Sequence, residues 1–313
     1  VPRLDYSDGG CPSLLLEPQR TNLVVLSNDF SGLAGGYVTP NYGTSQQGLS
    51  VSRVLFTAAN QSLSATTSLA TGVVCNFSAY VKGVQGEIIG FAAGGVDVSH
   101  TFSGEWERLS GSKTSVNNSW NFNTYGSATA RDFLTCGAQL EVGSYPSSYI
   151  PNYGTSAGIT RSADTASGSG NSTVINSTEG TLYAEISVDE DIDVNLNITL
   201  STGVHEENLV KIIYIPSETQ LKAQIYGANN TILTTVSYAS FALGQYNKVA
   251  VSYSPTLLNL YVNGSQVAST SVNGSPVGLN NLSFDRADGA GNFYGKTKSV
   301  QVYTTALSDA ELT

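Results

Sequence analysis

Short strand patterns that end in tight turns constrain the fold of this chain more than any other feature. Apolar and polar side chains alternate through residues 258–262, which is typical of a half-buried strand. Asn263-Gly264 follows, a dipeptide that accepts the two positive φ angles of a tight hairpin turn, and a second strand pattern runs from Gln266 to Thr270. These residues predict an antiparallel hairpin.

The composition extends this prediction to the whole chain. Only 12% of the 313 residues are charged, Met is absent, and 32 residues are Gly, so surface helix formers are scarce and turn formers abundant. Short strand patterns separated by Gly, Ser and Asn recur from residue 50 to residue 142 and again from residue 180 onward. We therefore predict an all-β chain with two tandem β-sandwich (jelly-roll) domains.

The boundary between the two domains is marked by a polar segment. Residues 154–174 contain almost no large apolar side chain, as expected of a linker or a long exposed loop. The predicted organisation is an extended docking segment, a first sandwich, a linker and a second sandwich, at residues 1–22, 23–157, 158–172 and 173–313.

The charge of the chain excludes some partners. The formal net charge is −10 and Lys and Arg form no cluster, so phosphate neutralisation and nucleic-acid binding are not expected. No run approaches the roughly 20 apolar residues that span a bilayer, and membrane insertion is not expected either.

The three cysteines do not form a disulfide framework or a zinc motif. Cys75 and Cys136 each lie in an apolar strand pattern, which favours buried thiols, with a Cys75–Cys136 bridge as the alternative. Cys11 lies beside Pro12 in a predicted turn and is left unpaired by either interpretation.

The C-terminal residues resemble a known family. Ser308 with Glu311 three residues later fits a capping box at the start of a short helix. The hairpin is followed by the segment SVQVYTTALSDAEL, which contains an alternating strand and this helical turn. In their order and sequence these pieces resemble the end of concanavalin A-like (laminin-G-type) jelly-roll domains. That resemblance implies a domain that binds glycans or protein surfaces and only sometimes cleaves them.

The N-terminal region resembles a different group of proteins. The segments DYSDGGCPSLLLEPQRTNL, FSAYVKG and GAQLEVGSYPSSYIP resemble the carbohydrate-binding-module-like jelly rolls of bacteriophage structural proteins. The resemblance implies a virion surface protein, a head or tail fibre or spike, that attaches to host surface polysaccharide. It further implies contacts with other virion proteins and a homo-oligomer, expected to be a trimer, in which repetition compensates for weak individual sites.

An acidic stretch tests whether the chain is a glycosidase. Concanavalin A-like glycosidases carry an E-x-D-x-E strand whose first and last carboxylates act as nucleophile and acid/base. Asp191, Asp193 and Asn195 occupy those three places here. Because an amide cannot donate and recover a proton, the retaining mechanism fails and we predict a protein that is not an enzyme. Solvated side chains at a strand end are the plainer explanation of this stretch.

Residues 285–292 are the leading candidate for a calcium or glycan site. Asp285, Asp288 and Asn292 offer oxygen ligands on a glycine-rich loop, as calcium prefers. The spacing is not that of an EF-hand, and Arg286 within the loop favours an ordinary turn instead. Residues 189–193 are the next candidate for a cation.

Aromatic side chains that could stack on sugars are the other glycan candidates. Trp120 and Tyr125 in the first domain and Phe293 in the second are selected, beside Asp285, Asp288 and Asn292. The alternative for Trp120 is a core position, because it alternates with Phe122 on one face of a strand. Tyr294 is expected to pack against the domain.

Two further functions remain open at this stage. The chain could be a capsid decoration protein without a ligand, or a secreted bacterial glycan-binding module of a polysaccharide-active enzyme.

Overall fold

The computed structural model describes residues 3–312 except residues 8, 31, 32, 34, 35, 46, 126–129 and 190–192. Asp191 of the acidic stretch thus lies outside the described residues. The regular secondary structure of the described chain is almost entirely β, as the composition predicted. Its strands are β1 (Arg3–Asp5), β2 (Ser13–Leu16), β3 (Arg20–Asn22), β4 (Val38–Thr44), β5 (Ser50–Phe56), β6 (Ser62–Thr66), β7 (Val74–Gly83), β8 (Ile88–Ala93), β9 (Val96–Thr101), β10 (Glu107–Thr114), β11 (Ser119–Asn123), β12 (Arg131–Val142), β13 (Ile159–Arg161), β14 (Gly180–Ser187), β15 (Leu196–Ser201), β16 (Leu209–Ile215), β17 (Gln220–Tyr226), β18 (Ile232–Tyr238), β19 (Tyr246–Tyr253), β20 (Leu257–Val262), β21 (Ser265–Ser271), β22 (Asn281–Ser283) and β23 (Gly295–Tyr303).

Helical structure is confined to two short pieces among the described residues. A 3-10 turn spans Pro216–Glu218, and helix α1 spans Asp309–Leu312. The predicted capping box is present, because the backbone N–H of Ser308 donates to the Glu311 carboxylate at 2.9 Å. No helix in the described part of the chain has the length and apolar character that crossing a membrane would require.

Residues 19–162 form one compact unit, a β-sandwich. Its larger sheet has the strand order β10-β7-β12-β5-β4 and its smaller sheet the order β6-β11-β8-β9, with β3 and β13 forming a separate pair. The inward-facing side chains of both sheets build an aromatic core, in which Phe77 stacks on Trp120 with ring centroids 5.2 Å apart.

Residues 1–18 and 163–313 form the second compact unit. A seven-stranded antiparallel sheet has the order β1-β2-β23-β14-β19-β20-β21, and a five-stranded sheet has the order β18-β17-β16-β15-β22. The predicted hairpin is β20 and β21, with Asn263 at φ 51° and Gly264 at φ 79°. Tandem sandwiches are thus the architecture of the chain.

Strands β1 and β2 belong to the seven-stranded sheet and β3 belongs to the first unit, so the residues predicted as one docking segment, 1–22, are divided between the two units. Leu14 pairs with Thr297 of β23, and Leu16 is buried. Arg3 forms ion pairs with Glu17, at 3.0 Å, and with Asp164. A four-residue apolar strand cannot satisfy its backbone groups alone, and the edge of β23 supplies the missing partners.

The segment predicted as a linker, residues 158–172, begins with an ordered strand. Ile159–Arg161 is β13, which pairs antiparallel with β3, and Ser169 forms an isolated bridge with Leu282. The polar composition of this segment reflects its exposure, while its backbone is held by hydrogen bonds.

All three cysteines are free thiols. Cys75 and Cys136 are fully buried, as the strand patterns predicted, and Cys11 is exposed. Burial in apolar surroundings raises the pKa of the Cys136 thiol to about 11. These buried thiols are therefore protonated packing groups and not linked to one another.

Candidate functional site

The five-stranded sheet of the second unit has one apolar and one polar face. On β17, Leu221, Ala223 and Ile225 are buried on the core side, and the residues between them point to the other side. Strand register places the following side chains on that second surface, which we call the polar face: Asn197, Thr199 and Ser201 of β15, Lys211 and Ile213 of β16, and Lys222, Gln224 and Tyr226 of β17.

A pocket of about 630 Å³ lies on the polar face. Its volume falls within the range of about 300–1,000 Å³ that is usual for small-molecule sites. The side chains that matter most for its chemistry are Asn197, Lys211, Tyr226, Arg286, Asn292 and Tyr294.

One wall of the pocket is the loop of residues 285–292, which is held in place from within. The Asp285 carboxylate accepts hydrogen bonds from Ser283 Oγ at 2.8 Å and from the N–H of Ala287 at 2.6 Å. Its backbone carbonyl accepts a bond from Thr199 Oγ1 at 2.6 Å. Asp285 therefore fixes the shape of the loop and does not face the pocket as a free ligand.

Asp288 and Arg286 pair with each other at the tip of this loop. Arg286 Nε lies 3.0 Å from Asp288 Oδ1, and the N–H of Ala290 also donates to that oxygen at 3.0 Å. The guanidinium lowers the pKa of the Asp288 carboxyl, which stays ionised. Among the described residues, nothing accepts a hydrogen bond from the two Nη atoms of Arg286.

Two asparagine side chains present buried amide oxygens at the pocket. Asn197 Nδ2 donates to the carbonyl of Gly291 at 2.8 Å, which orients the amide. The Oδ1 atoms of Asn197 and Asn292 are both buried, and no described residue donates a hydrogen bond to either one. Buried acceptors without donors are uncommon and costly, so these two oxygens mark a place where hydrogen-bond donors would be favoured.

Lys211 is the most unusual side chain of the pocket. The residue is only 4% exposed, and its Nζ lies 4.9 Å from the centroid of the Tyr226 ring. No carboxylate among the described residues forms an ion pair with it. Burial lowers the pKa of Lys211, Glu206 opposes that shift through its charge, and Arg286 adds to it.

His205 and Glu206 lie at the rim of the same pocket. His205 Nε2 is 3.6 Å from Glu206 Oε1, and both side chains are partly exposed. Asp193 and Asn195, from the acidic stretch, also line this rim and are exposed. The rim is therefore mixed in charge, while the pocket floor around Lys211 is positive.

The donor set of the loop does not fit calcium. Asp285 is bonded within the loop, Asp288 is paired with Arg286, and the positive charges of Arg286 and Lys211 would repel a cation. Within the described residues, His, Cys, Asp and Glu form no group of three that could hold a metal ion. The structure thus gives no support to the calcium hypothesis for Asp285, Asp288 and Asn292.

The structure corrects the role expected of two aromatic candidates. Trp120 is 1% exposed in the core of the first unit, and Phe293 is 2% exposed and packs on Phe284 at 5.8 Å. Neither ring can stack on a sugar, because neighbouring side chains cover both. Tyr125 is exposed, follows β11 and belongs to the first unit, whereas the residues of the pocket belong to the second.

Of the six residues selected from the sequence, Asn292 lines the pocket and Asp288 helps to position Arg286 at its wall. Asn197, Lys211 and Tyr226 were missed, and Tyr294, expected to pack, lines the pocket instead. A signal for Lys211 was present: it is the one charged residue in the apolar strand LVKIIYI. Its meaning depends on which face of β16 is the core face.

A second groove lies on the other sheet of the same unit, with a volume of about 530 Å³. Three of its tyrosine hydroxyls already have partners: Tyr246 bonds Ser13 at 2.6 Å, Tyr303 bonds Gln301, and Tyr261 bonds Asp309. These three hydroxyls are therefore less available to a ligand than the unbonded amide oxygens of the pocket on the polar face.

Comparison with known proteins agrees with the laminin-G-type resemblance of the C-terminal residues. Residues 161–313 match the family model of the concanavalin A-like lectin/glucanases superfamily. No curated protein sequence matches the chain.

Several solved structures are similar to part of this chain. The CBM40 of the Ruminococcus gnavus IT-sialidase, bound to α2,3-sialyllactose, is 17% identical, with 47% of this chain and 91% of that chain covered and a TM-score of 0.39. A leech intramolecular trans-sialidase is 19% identical over 44% of this chain and 23% of its own, with a TM-score of 0.38. A SAP-like pentraxin from Limulus polyphemus is 13% identical over 44% and 68%, with a TM-score of 0.33.

Proposed function

We propose that this protein is a non-enzymatic glycan-binding component of a bacteriophage virion, and that the pocket on the polar face holds the sugar. The observation that carries the proposal is the pair of buried amide oxygens, on Asn197 and Asn292, that receive no hydrogen bond from a described residue. Sugar hydroxyls are donors of the right kind for these oxygens. The partly exposed ring of Tyr294 beside them offers the apolar surface that sugar faces prefer.

Attachment to the polysaccharide of a host cell is the biological role we propose for this binding. One support is the sequence of residues 2–23, which resembles that of phage structural proteins. The other is the match of residues 161–313 to the lectin-like family model. In such a virion the chain would be a fibre or spike in contact with other virion proteins. We propose a homotrimer, because repetition multiplies the effect of weak sites.

Binding without cleavage is part of the same proposal. In the acidic stretch, Asn195 stands where glycosidases of this fold carry the acid/base carboxylate. A glycan-binding module of a polysaccharide-active enzyme would share this pocket, and hydrolysis of a bound polysaccharide by the purified protein would contradict our proposal.

The test is a glycan array probed with the wild-type protein and two matched variants. Asn292→Ala removes an amide whose hydrogen bond to the Tyr294 hydroxyl, at 3.4 Å, is weak, so the fold should be retained. Losing a hydrogen bond worth about 0.5–1.5 kcal/mol should weaken glycan binding roughly two- to tenfold.

Asn280→Ala is the control, because Asn280 is exposed and lies outside the pocket. We expect it to bind like the wild type. An array without binding to any bacterial surface glycan would contradict glycan binding and favour the capsid decoration function. Unchanged binding by Asn292→Ala would place the sugar elsewhere.

A further inference from the structure

Lys211 puts positive charge at the floor of the pocket, and no described carboxylate forms an ion pair with it. Lys211 is nine-tenths or more buried, and its ammonium rests against the Tyr226 ring instead of a carboxylate. A buried ammonium normally has a hydrogen-bonded or charged partner, because removing it from water is costly. Among the described residues no such partner is present, so an anionic ligand would be favoured at this ammonium.

Arg286 adds a second positive group that favours an anionic ligand in the pocket. It lines the same pocket and lies close enough for its charge to act on Lys211. Its Nε is committed to Asp288 at 3.0 Å, while its Nη atoms donate to no described acceptor. A guanidinium edge with free Nη atoms is well suited to a carboxylate.

The acceptors of the pocket specify the rest of the ligand. Asn197 Oδ1 and Asn292 Oδ1 require donors, and a bare inorganic anion has none to offer them. A ligand that satisfies the whole pocket therefore combines an anionic group, for Lys211 and Arg286, with hydroxyl groups, for the two amides. A sugar acid has this combination.

We propose that the pocket recognises a carboxylate-bearing sugar residue of an acidic polysaccharide, with the carboxylate at Lys211 and Arg286 and the hydroxyls at Asn197 and Asn292. This inference rests on the proposed function, since it names the class of glycan that the same pocket takes. The chain carries a net charge of −10, so long-range attraction does not favour such a ligand. Selectivity arises from the short-range contacts at the pocket floor.

The test uses matched ligands. Oligosaccharides that contain hexuronic or sialic acid are compared with the same oligosaccharides after reduction of the carboxyl groups to alcohols, by titration calorimetry. We expect the carboxylated forms to bind at least about tenfold more tightly, as for a charge-assisted hydrogen bond.

Matched variants locate the effect. Lys211→Met keeps the length of the side chain and removes its charge, so binding of the carboxylated form should fall toward that of the reduced form, with Arg286 supplying the preference that remains. Lys248→Met, an exposed lysine on β19, should bind like the wild type. Thermal unfolding of both variants establishes that they are folded, and Arg286→Gln serves as a second variant of the pocket.

Each other outcome overturns the inference in a distinguishable way. Equal binding of carboxylated and reduced ligands contradicts the acidic specificity and leaves glycan binding intact. Equal loss of both ligands in Lys211→Met assigns the lysine to a hydroxyl contact instead. Loss in Lys248→Met alone would place the site on the opposite sheet, and binding to no glycan at all contradicts the proposed function as well.

Discussion

The polar face of the second unit holds polar side chains that are buried yet lack partners among the described residues. Lys211 and Asn197 are 4% and 2% exposed, yet the Lys211 ammonium forms no ion pair with a described residue and Asn197 Oδ1 receives no hydrogen bond from one. Both arrangements make the unliganded folded protein less stable, because they lower its free energy of unfolding. A ligand that supplies the missing partners would recover that free energy on binding. The stability lost by the unliganded protein would then contribute to the affinity for the ligand.

The burial of Lys211 predicts a dependence of stability on pH. Its pKa is lowered below 10.5 in the folded state, so between that lowered pKa and 10.5 the unfolded chain binds more protons than the folded one. The free energy of unfolding should therefore rise with pH across this window. At neutral pH, Lys211→Met should raise the Tm of the second unit by about 2–4 °C, which corresponds to roughly 1 kcal/mol.

The measurement is thermal unfolding at a series of pH values from neutral to 10. The difference between Lys211→Met and the wild type should shrink as the pH rises, because the wild-type lysine loses its charge. A constant difference would show that the burial of charge is not its cause, and the exposed Lys248→Met variant should show no difference.

The loop of residues 285–292 shows how one element positions several polar groups. Side chain to backbone bonds at Asp285 and Asp288 shape it, and Asn197 ties it to β15 through the carbonyl of Gly291. Gly291 has a φ of 59°, and a Cβ there would lie 2.9 Å from Asn197 Nδ2. The orientation of the Asn197 amide in the pocket therefore depends on a glycine in the loop.

Two glycines of this loop form a matched pair for a test. Gly291→Ala and Gly289→Ala both place a side chain at a positive φ, which costs about 1 kcal/mol, but nothing lies within 4 Å of a Cβ at Gly289. We expect similar losses of stability and a larger loss of glycan affinity in Gly291→Ala, because the displaced amide moves in the pocket. Equal affinities in a binding titration would contradict this role of Asn197.

Local signals in the sequence predicted secondary-structure elements correctly, but they did not predict which face of a strand is buried. The hairpin at Asn263-Gly264 and the capping box at Ser308 depend on neighbouring residues alone, and both are present in the structure. The alternation of Trp120 with Phe122 indicated one face of a strand but not whether that face was covered. Lys211 was missed for the same reason, because its place on the polar face follows from strand pairing and not from its neighbours in sequence.

At the scale of the molecule, the second unit is assembled from both ends of the chain. Strands β1 and β2 join the seven-stranded sheet through β23, and Leu16 is buried there. This pairing joins residues far apart in sequence, and nothing in the wording of residues 1–22 specifies its partner. The all-β class and the two sandwiches were predictable from composition and turn spacing. The pairing of the N-terminal strands with β23 was not.

Removal of residues 1–18 tests this assembly. The deletion exposes one edge of β23 and removes the buried Leu16 side chain, whose burial is worth about 1.5–3 kcal/mol. We expect the second unit to unfold at a lower temperature in calorimetry, while the transition of residues 19–162 stays in place. A second unit of unchanged stability would contradict the contribution of β2, and Arg3→Ala should give a smaller effect because it removes only ion pairs.

The pairing of Leu14 with Thr297 also has a consequence for the order of folding. Residues 19–162 hold their own core and can collapse while the later strands are still being synthesised. The seven-stranded sheet can gain β2 only after β23 has left the ribosome. By then the intervening residues 19–162 are compact, so the flexible part of the loop between β2 and β23 is shorter than the number of residues in it. A shorter flexible loop loses less conformational entropy when its ends pair. Docking of the N-terminal strands is thus expected to be the last step of folding.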